Sequence, residues 1–270
     1  MIISQEMTFI KRFKRCLVEV SDSREVLRQL VTQHLVLRYR RTTLGYFWTL
    51  INPLVMMSIM AVVFSTLFQQ DLKTFTVFLF AGMIPWNFFN ATVTQSAGSF
   101  INNEGLIKKI YLPKALFPIS LSVALLIDSA LSFVALLLII VLLGVSFSWA
   151  MLFIPVAYIL LYFFTLGAGL IMSVATVFFR DLQHVILIVM QALFFLTPIF
   201  YRPESLAGKA QWLMAFNPVV PFIDLFRSPL LNGSLPGANT LMLAAGFSIS
   251  VFSLGLIVFL WQEKNIVFRL

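Results

Sequence analysis

Within the apolar run 115–143 one residue can ionise: Asp128, beside Ser129 and Ser132. A carboxyl group at that depth is a functional candidate by default, because hydrocarbon disfavours its charge. A proton-coupled transporter would place it in a relay of Asp, Glu and His. Here it stands alone at mid-span, which favours a structural or pore-facing carboxylate over a relay. Nothing else assembles into a catalytic constellation. Cys16 is the only cysteine, so a disulfide framework and a Cys-based zinc site are both excluded. His34 and His184 lie far apart in sequence, and neither belongs to an H-x-x-x-H pair. Gly208-Lys209 is followed by Ala210 and lacks the upstream glycine of a phosphate-binding P-loop, so the chain cannot draw on ATP by itself. No nucleophile elbow or dinucleotide fingerprint is present.

The composition explains this lack of reaction chemistry. Of 270 residues, 60% are hydrophobic and 11% charged, with 29 phenylalanines. The mean hydropathy of +0.95 exceeds what a soluble fold of this size can bury. A soluble enzyme, a disordered chain and a secreted disulfide module are excluded, leaving a polytopic membrane protein. The net charge of +8 does not indicate nucleic acid, because nine of the 19 basic residues precede Trp48 and flank the first apolar run. Leu17 to Glu25 contains two Glu and one Asp, which excludes the apolar core of a cleaved signal peptide.

At 1.5 Å rise per residue, a crossing takes about 20 apolar residues. The expected spans are Trp48–Phe68, Phe75–Val93 with a kink at Pro85, Ala115–Leu143, Trp149–Phe179, a short Val185–Phe200 ending at Thr197-Pro198, and Leu241–Trp261. Between the last two, the segment 201–240 is apolar and aromatic but interrupted by Pro218, Pro221 and Pro229. It reads as re-entrant or interfacial half-helices, with a seventh span as the alternative. The expected architecture is therefore all-α: a cytoplasmic segment 1–47 with an amphipathic interface helix, a six-helix membrane domain 48–261 and a cytoplasmic tail 262–270. With both ends inside, fifteen Lys and Arg fall on the cytoplasmic side against four outside (Lys73, Arg202, Lys209 and Arg227).

Arg24–Leu37 is amphipathic, with Val26, Leu27, Leu30, Val31 and Leu35 on one side and Arg28 among the polar residues of the other. A simple interfacial anchor explains it, and so does a docking surface for a partner. His34 falls on the apolar side. The loop Glu104–Lys114 mixes Lys108, Lys109 and Lys114 with Leu106, Ile107, Ile110, Tyr111 and Leu112. A positive flank accounts for the lysines, whereas the interleaved apolar residues suit a short helix pressed against another protein. Arg180-Asp181 is the polar break between spans four and five, and both residues also suit helix caps.

Gly167-Ala168-Gly169 with Ser173 permits close helix approach. Asn232-Gly-Ser and Gly233-x-x-x-Gly237 read as a turn. The five tryptophans sit at or near span ends, as an interfacial belt does. Phe88-Phe89, Phe163-Phe164 and Phe194-Phe195 lie inside spans. Lipid-facing packing accounts for most of them, and stacking on sugar rings is the alternative.

Taken together, Leu37-Arg-Tyr-Arg-Arg-Thr-Thr-Leu-Gly-Tyr-Phe-Trp48, Asn52-Pro53, Gly82-Met-Ile-Pro-Trp86, Leu106-Ile-Lys-Lys-Ile-Tyr-Leu-Pro-Lys114, Phe178-Phe-Arg-Asp181 and Asn217-Pro218 resemble the permease subunit of an ABC-2 type exporter. The branch resembled is the one that exports O-antigen polysaccharide and teichoic acid, and the resemblance covers the chain from Arg24. It implies two copies of the permease with two separate ATPase subunits that carry ATP and magnesium, no cofactor on this chain, and a bacterial inner-membrane location. It implies ATPase coupling through Arg28, Glu104, Leu106, Lys108, Lys109, Tyr111, Lys114, Arg180 and Asp181. Arg38, Arg40 and Arg41 would sit at headgroup level, against the diphosphate of a polyprenyl-linked glycan or simply against lipid. An aromatic channel is implied, for which Phe88, Phe89, Asp128, Phe194 and Phe195 are candidates. Trp212, Asn217, Pro218 and Phe222 would belong to short outer gate helices. The departures are His34, where the family pattern implies an acid, and residues 1–23, which match nothing. Teichoic acid, capsule, drug or lipid cargo, a secondary transporter using Asp128, and a membrane lipid-processing enzyme are the competing readings.

Overall fold

The computed structural model describes residues 9–37, 45–144, 147–202 and 216–270, and among them every regular element is helical. Two amphipathic helices, α1 (Phe9–Asp22) and α2 (Arg24–Leu37), precede α3 (Trp48–Leu67), α4 (Leu72–Ser96) and the short α5 (Glu104–Lys109). Next come α6 (Leu116–Leu142), α7 (Ile154–Phe178), α8 (Leu182–Leu196), the eight-residue α9 (Val220–Arg227) and α10 (Ala238–Arg269). Five of these, α3, α4, α6, α7 and α10, are long and apolar enough to cross a membrane, and α8 is a shorter apolar helix.

Several expected boundaries shift for local reasons. The fourth span begins as a 3-10 turn, Trp149–Phe153, capped by Ser148 Oγ accepting from the Ala150 amide at 3.2 Å. Proline in the first turn then starts α7. The fifth span starts at Leu182 and stops at Leu196, because Pro198 holds Thr197 in an extended conformation. The last helix is longer than expected and runs to Arg269 through the segment read as a tail. Between Asn217 and Asn232 the chain forms only α9 and a π-helical turn, Ser228–Asn232. At about 1.5 Å per residue, α9 is too short for the seventh crossing held open above.

Helix α1 is the element that sequence reading missed. Phe13, Cys16 and Val20 form a stripe that packs with Phe259, Leu260 and Ile266 near the end of α10. Arg15 bridges to Glu19 at 3.4 Å and to Glu263 at 3.8 Å. Helix α1 and the end of α10 therefore lie at one end of the bundle. Burial, followed by Glu263 and Glu19, pushes the Cys16 thiol up to about 11.

At the centre, α4 is buried along most of its length between α3, α6, α7 and α9. The tightest crossing is α7 on α10. A Cβ on Gly167 would lie 2.6 Å from the Phe252 backbone, and one on Gly255 would strike the Gly167 carbonyl. Gly169 likewise admits Ser96 of α4, so the glycine run at 167–169 serves two neighbours.

Two outcomes test this packing. Gly255→Ala should lower stability by about 1–3 kcal/mol through overpacking against backbone, whereas Gly246→Ala, with open space around it, should be neutral or slightly stabilising. Denaturant titration in mixed micelles measures both. Cys16 should react slowly with iodoacetamide at pH 8 and accelerate about tenfold per pH unit towards 11; the rate of a free thiol at pH 8 would show that α1 is not seated on α10.

Candidate functional site

Polar side chains are concentrated on one face of α4. Asn87, Asn90, Thr94 and Gln95 follow the helical period, and three cavities open along them. The first, about 200 Å³, lies between α3, α4 and α6 and is lined by Asn52, Asn87, Phe88, Gln95 and Asp128. Asp128 is 9% exposed. Ser132 Oγ donates to the Asp128 backbone carbonyl at 2.9 Å, and Ser129 is held against the Tyr158 hydroxyl at 3.2 Å. Asp128 is the only titratable side chain among the described residues of that lining, set among amides rather than in a carboxylate or histidine relay. A second cavity, about 330 Å³, runs between α4 and α8 past Asn90, Gln191, Trp86 and Phe194. The third, about 400 Å³, lies at the end bearing the termini and is lined in part by His34, Asn102, Gln183 and His184. Residues shared between linings (Asn87, Thr94, Gln95 and Leu187) make the three contiguous.

Three of the six phenylalanines in question are core, which corrects the lipid-facing expectation for those three. Phe88, Phe89 and Phe164 are buried, whereas Phe163 and Phe195 are exposed and Phe194 is half-buried. Phe194 packs on Trp86 at 5.5 Å, Phe89 stacks on Phe164 at 5.2 Å, and Phe164 stacks on Phe222 at 4.6 Å. Of the four candidate channel phenylalanines, Phe88 alone shares the cavity of Asp128; Phe194 borders the α4–α8 cavity.

At the opposite end from the termini, the chain after α8 folds back into the bundle. Asn217 is buried, with its amide donating to Thr197 Oγ1 at 2.8 Å and its carbonyl accepting from the Val219 amide at 2.9 Å. Pro218 follows, half-buried, and Phe222 is fully buried. Trp212 lies outside the described residues, as do Arg38, Arg40 and Arg41. Arg227, counted above as a loop charge, is 6% exposed. Its guanidinium donates to the carbonyls of Pro198 at 2.6 Å and Ile199 at 2.7 Å and lies 3.7 Å from the Phe78 ring centre. Gly82 makes the room, since a Cβ there would sit 2.8 Å from that guanidinium. The sequence signal was available: Arg227 sits in the apolar run 219–231, and the rule applied to Asp128 applies to it.

The segments at the terminus end converge. Glu104 pairs with Lys108 at 2.6 Å, and that lysine, with a smaller contribution from Arg180, holds the Glu104 carboxyl below its usual range. Leu106, Ile107 and Leu112 pack inward on the chain's own second core, leaving Ile110 and Tyr111 exposed beside Lys108 and Lys109; Lys114 is half-buried. Arg180 and Asp181 form an exposed turn next to this loop. Arg28 lies on the exposed face of α2, in an open groove with Glu25, Gln29 and Thr32.

Residues 25–231 match the family described as ABC-2 type transporter. Over 254 residues the chain is 29% identical to the O-antigen export system permease protein RfbA of Myxococcus xanthus, covering 93% of this chain and 95% of the relative. An O-antigen export system permease protein RfbA of Klebsiella pneumoniae is 30% identical over 219 residues, covering 78% and 82%. The polysialic acid transport protein KpsM of Escherichia coli is 26% identical over 234 residues, covering 84% and 89%.

The Arg227 contacts predict a coupled pair. Arg227→Met should lower stability by about 2–4 kcal/mol through two lost charged hydrogen bonds, and Gly82→Ala by about 1–3 kcal/mol by displacing the guanidinium. The double variant should lose less than their sum. A double-mutant cycle of denaturant midpoints measures this, and strict additivity would contradict the geometry.

Proposed function

This chain belongs to the ABC-2 type transporter family, and on that premise we propose that it is the membrane subunit of an ATP-driven exporter of lipid-linked polysaccharide, with O-antigen as the cargo. The observation that carries the reading is near full-length similarity, 93% of this chain and 95% of the relative, to an O-antigen export permease. Similarity to a polysialic acid transport protein favours a capsular glycan as the second reading.

The energy source is a separate ATPase. This sequence has no P-loop, so ATP and magnesium are bound by the partner subunits and no cofactor by this chain. The coupling surface consists of Arg28 on α2, the loop from Glu104 through Lys108, Lys109 and Tyr111 to Lys114, and the turn at Arg180 and Asp181. The basic residues of that end orient it to the cytoplasmic face of a bacterial inner membrane, with both termini inside. Burial of Arg227 removes it from the outer loops and widens the charge asymmetry.

The permease acts as a homodimer, and the glycan moves between the copies. Support comes from α8: among its residues only Met190 is buried, and Gln191 is exposed where α8 borders the cavity shared with α4. A polar amide in that position gains from a second helix. Asn87, Asn90, Thr94 and Gln191 then supply neutral hydrogen-bonding groups to passing hydroxyls, and the break after α8 with α9 forms the outer closure.

Deleting the protein in its native host should remove the surface glycan and leave long lipid-linked polymer on the cytoplasmic face of the membrane, read by fractionation. Normal surface glycan in a strain without a second exporter would overturn the assignment. Asp128→Asn should retain export within about twofold, because the cavity offers amide neighbours and no relay. Loss of export in that variant would favour the proton-coupled alternative.

A further inference from the structure

The cavity at the terminus end is larger than a packing defect, and most of its lining side chains are polar. About 400 Å³ of space, open on one side, is bordered by α2, the end of α4, the 3-10 turn at Ile101–Asn103 and the start of α8. It joins two histidines that the sequence holds far apart, His34 and His184, with the amides of Asn102, Asn103 and Gln183.

Three details mark it as a built site. Ser99 lines it and is only 5% exposed, and its hydroxyl, closed to solvent in this conformation, has no hydrogen-bond partner among the described residues. A buried hydroxyl left unmade is destabilising unless something arrives to use it. Gly98 has no side chain where Asn102 Nδ2 leans over it; a Cβ would lie 2.8 Å from that nitrogen. Asn103 is anchored from the side, its amide donating to the Ser99 carbonyl at 2.8 Å.

The chemistry of the lining selects the ligand. Among its described residues there is no Lys, Arg, Asp or Glu. Phosphate recognition favours guanidinium or ammonium groups, whereas amides and hydroxyls each offer donor and acceptor together, as neighbouring sugar hydroxyls require. Leu121 and Leu187 supply apolar contact. The cavity adjoins the polar face of α4 through Thr94 and Gln95 and lies under α2, an amphipathic helix suited to the headgroup plane.

We propose that this cavity binds a single sugar residue of the transported lipid-linked glycan, the one next to the diphosphate, before the chain enters the membrane path. The proposal rests on the polysaccharide-export reading. The diphosphate tethers that residue at headgroup depth, so it is the sugar whose position matches the cavity. Ser99, Asn102 and Gln183 hydrogen-bond its hydroxyls, and recognition here is separate from that of the lipid.

The test uses the full permease–ATPase complex in nanodiscs. Its probes are bare polyprenyl diphosphate and polyprenyl diphosphate carrying glucose, galactose or N-acetylglucosamine. At least one glycosylated probe should bind tenfold or more tighter than the bare lipid. Ser99→Ala and Gln183→Leu should each cut that preference to about threefold or less. Ser99→Ala removes an unpartnered hydroxyl, so a merely structural role predicts equal or higher thermal stability and an unchanged preference. No preference in the wild type, or a preference intact in both variants, overturns the proposal while leaving export standing. Failure to bind any of these lipids, together with normal surface glycan in the deletion strain, would instead overturn the export reading.

Discussion

A buried guanidinium holds together the end of this bundle away from α1. Helix α8 stops at Thr197-Pro198, leaving carbonyls that in hydrocarbon have no water to satisfy them. Arg227 supplies donors to the carbonyls of Pro198 and Ile199 from the end of α9, while Phe78 covers its face. Thr197, Tyr201 and Asn217 take up the last carbonyls of α8 itself, and Arg227 satisfies those of Pro198 and Ile199 and draws the returning chain inward. With α9 in place, Phe222 reaches Phe164 and the aromatic packing closes across α4 and α7. Gly82 belongs to the same arrangement, because any side chain there would occupy the guanidinium's space.

Helix α4 serves two environments at once. Its buried aromatic residues, Phe88, Phe89 and Trp86, tie it to the core. Its amides and Thr94 face the chain of cavities. A helix so placed cannot shift freely, because the same turns carry packing on one side and polar lining on the other. Pro85, which cannot donate to the Ala81 carbonyl, lies one residue before Trp86 and two before Asn87, where the aromatic packing meets the first polar groups.

Much of this was legible in the sequence. Apolar length placed the crossing helices, proline marked the break after α8, and the glycine run at 167–169 announced the closest helix contacts. Three features were not read. Helix α1 hides its stripe of Phe13, Cys16 and Val20 among charges, so mean hydropathy does not flag it although its period does. Arg227 looks like a loop charge until its carbonyl partners, some thirty residues earlier, are known. That His34 and His184 line one cavity depends on the packing of α2 against α6, a tertiary fact that no local spacing encodes. Aromatic position was also ambiguous, since Phe88 and Phe195 occupy similar apolar contexts yet one is core and the other outward.

Cavity size constrains how such a chain can handle a polymer. The space beside Asp128, about 200 Å³, is below that of an ordinary small-molecule pocket, and the larger cavities hold a single compact unit. A polysaccharide therefore cannot thread through one copy as it stands. In the export reading the conduit arises between copies, where the outward face of α8 and the polar face of α4 supply walls that a single chain leaves incomplete. The segments proposed for coupling border the third cavity rather than the conduit: α2, the turn before α5 and the start of α8 all contribute to its lining. A displacement of any one of them by a partner subunit would change the cavity's shape directly, so the proposed sugar site and the proposed coupling surface lie on the same elements, through different residues.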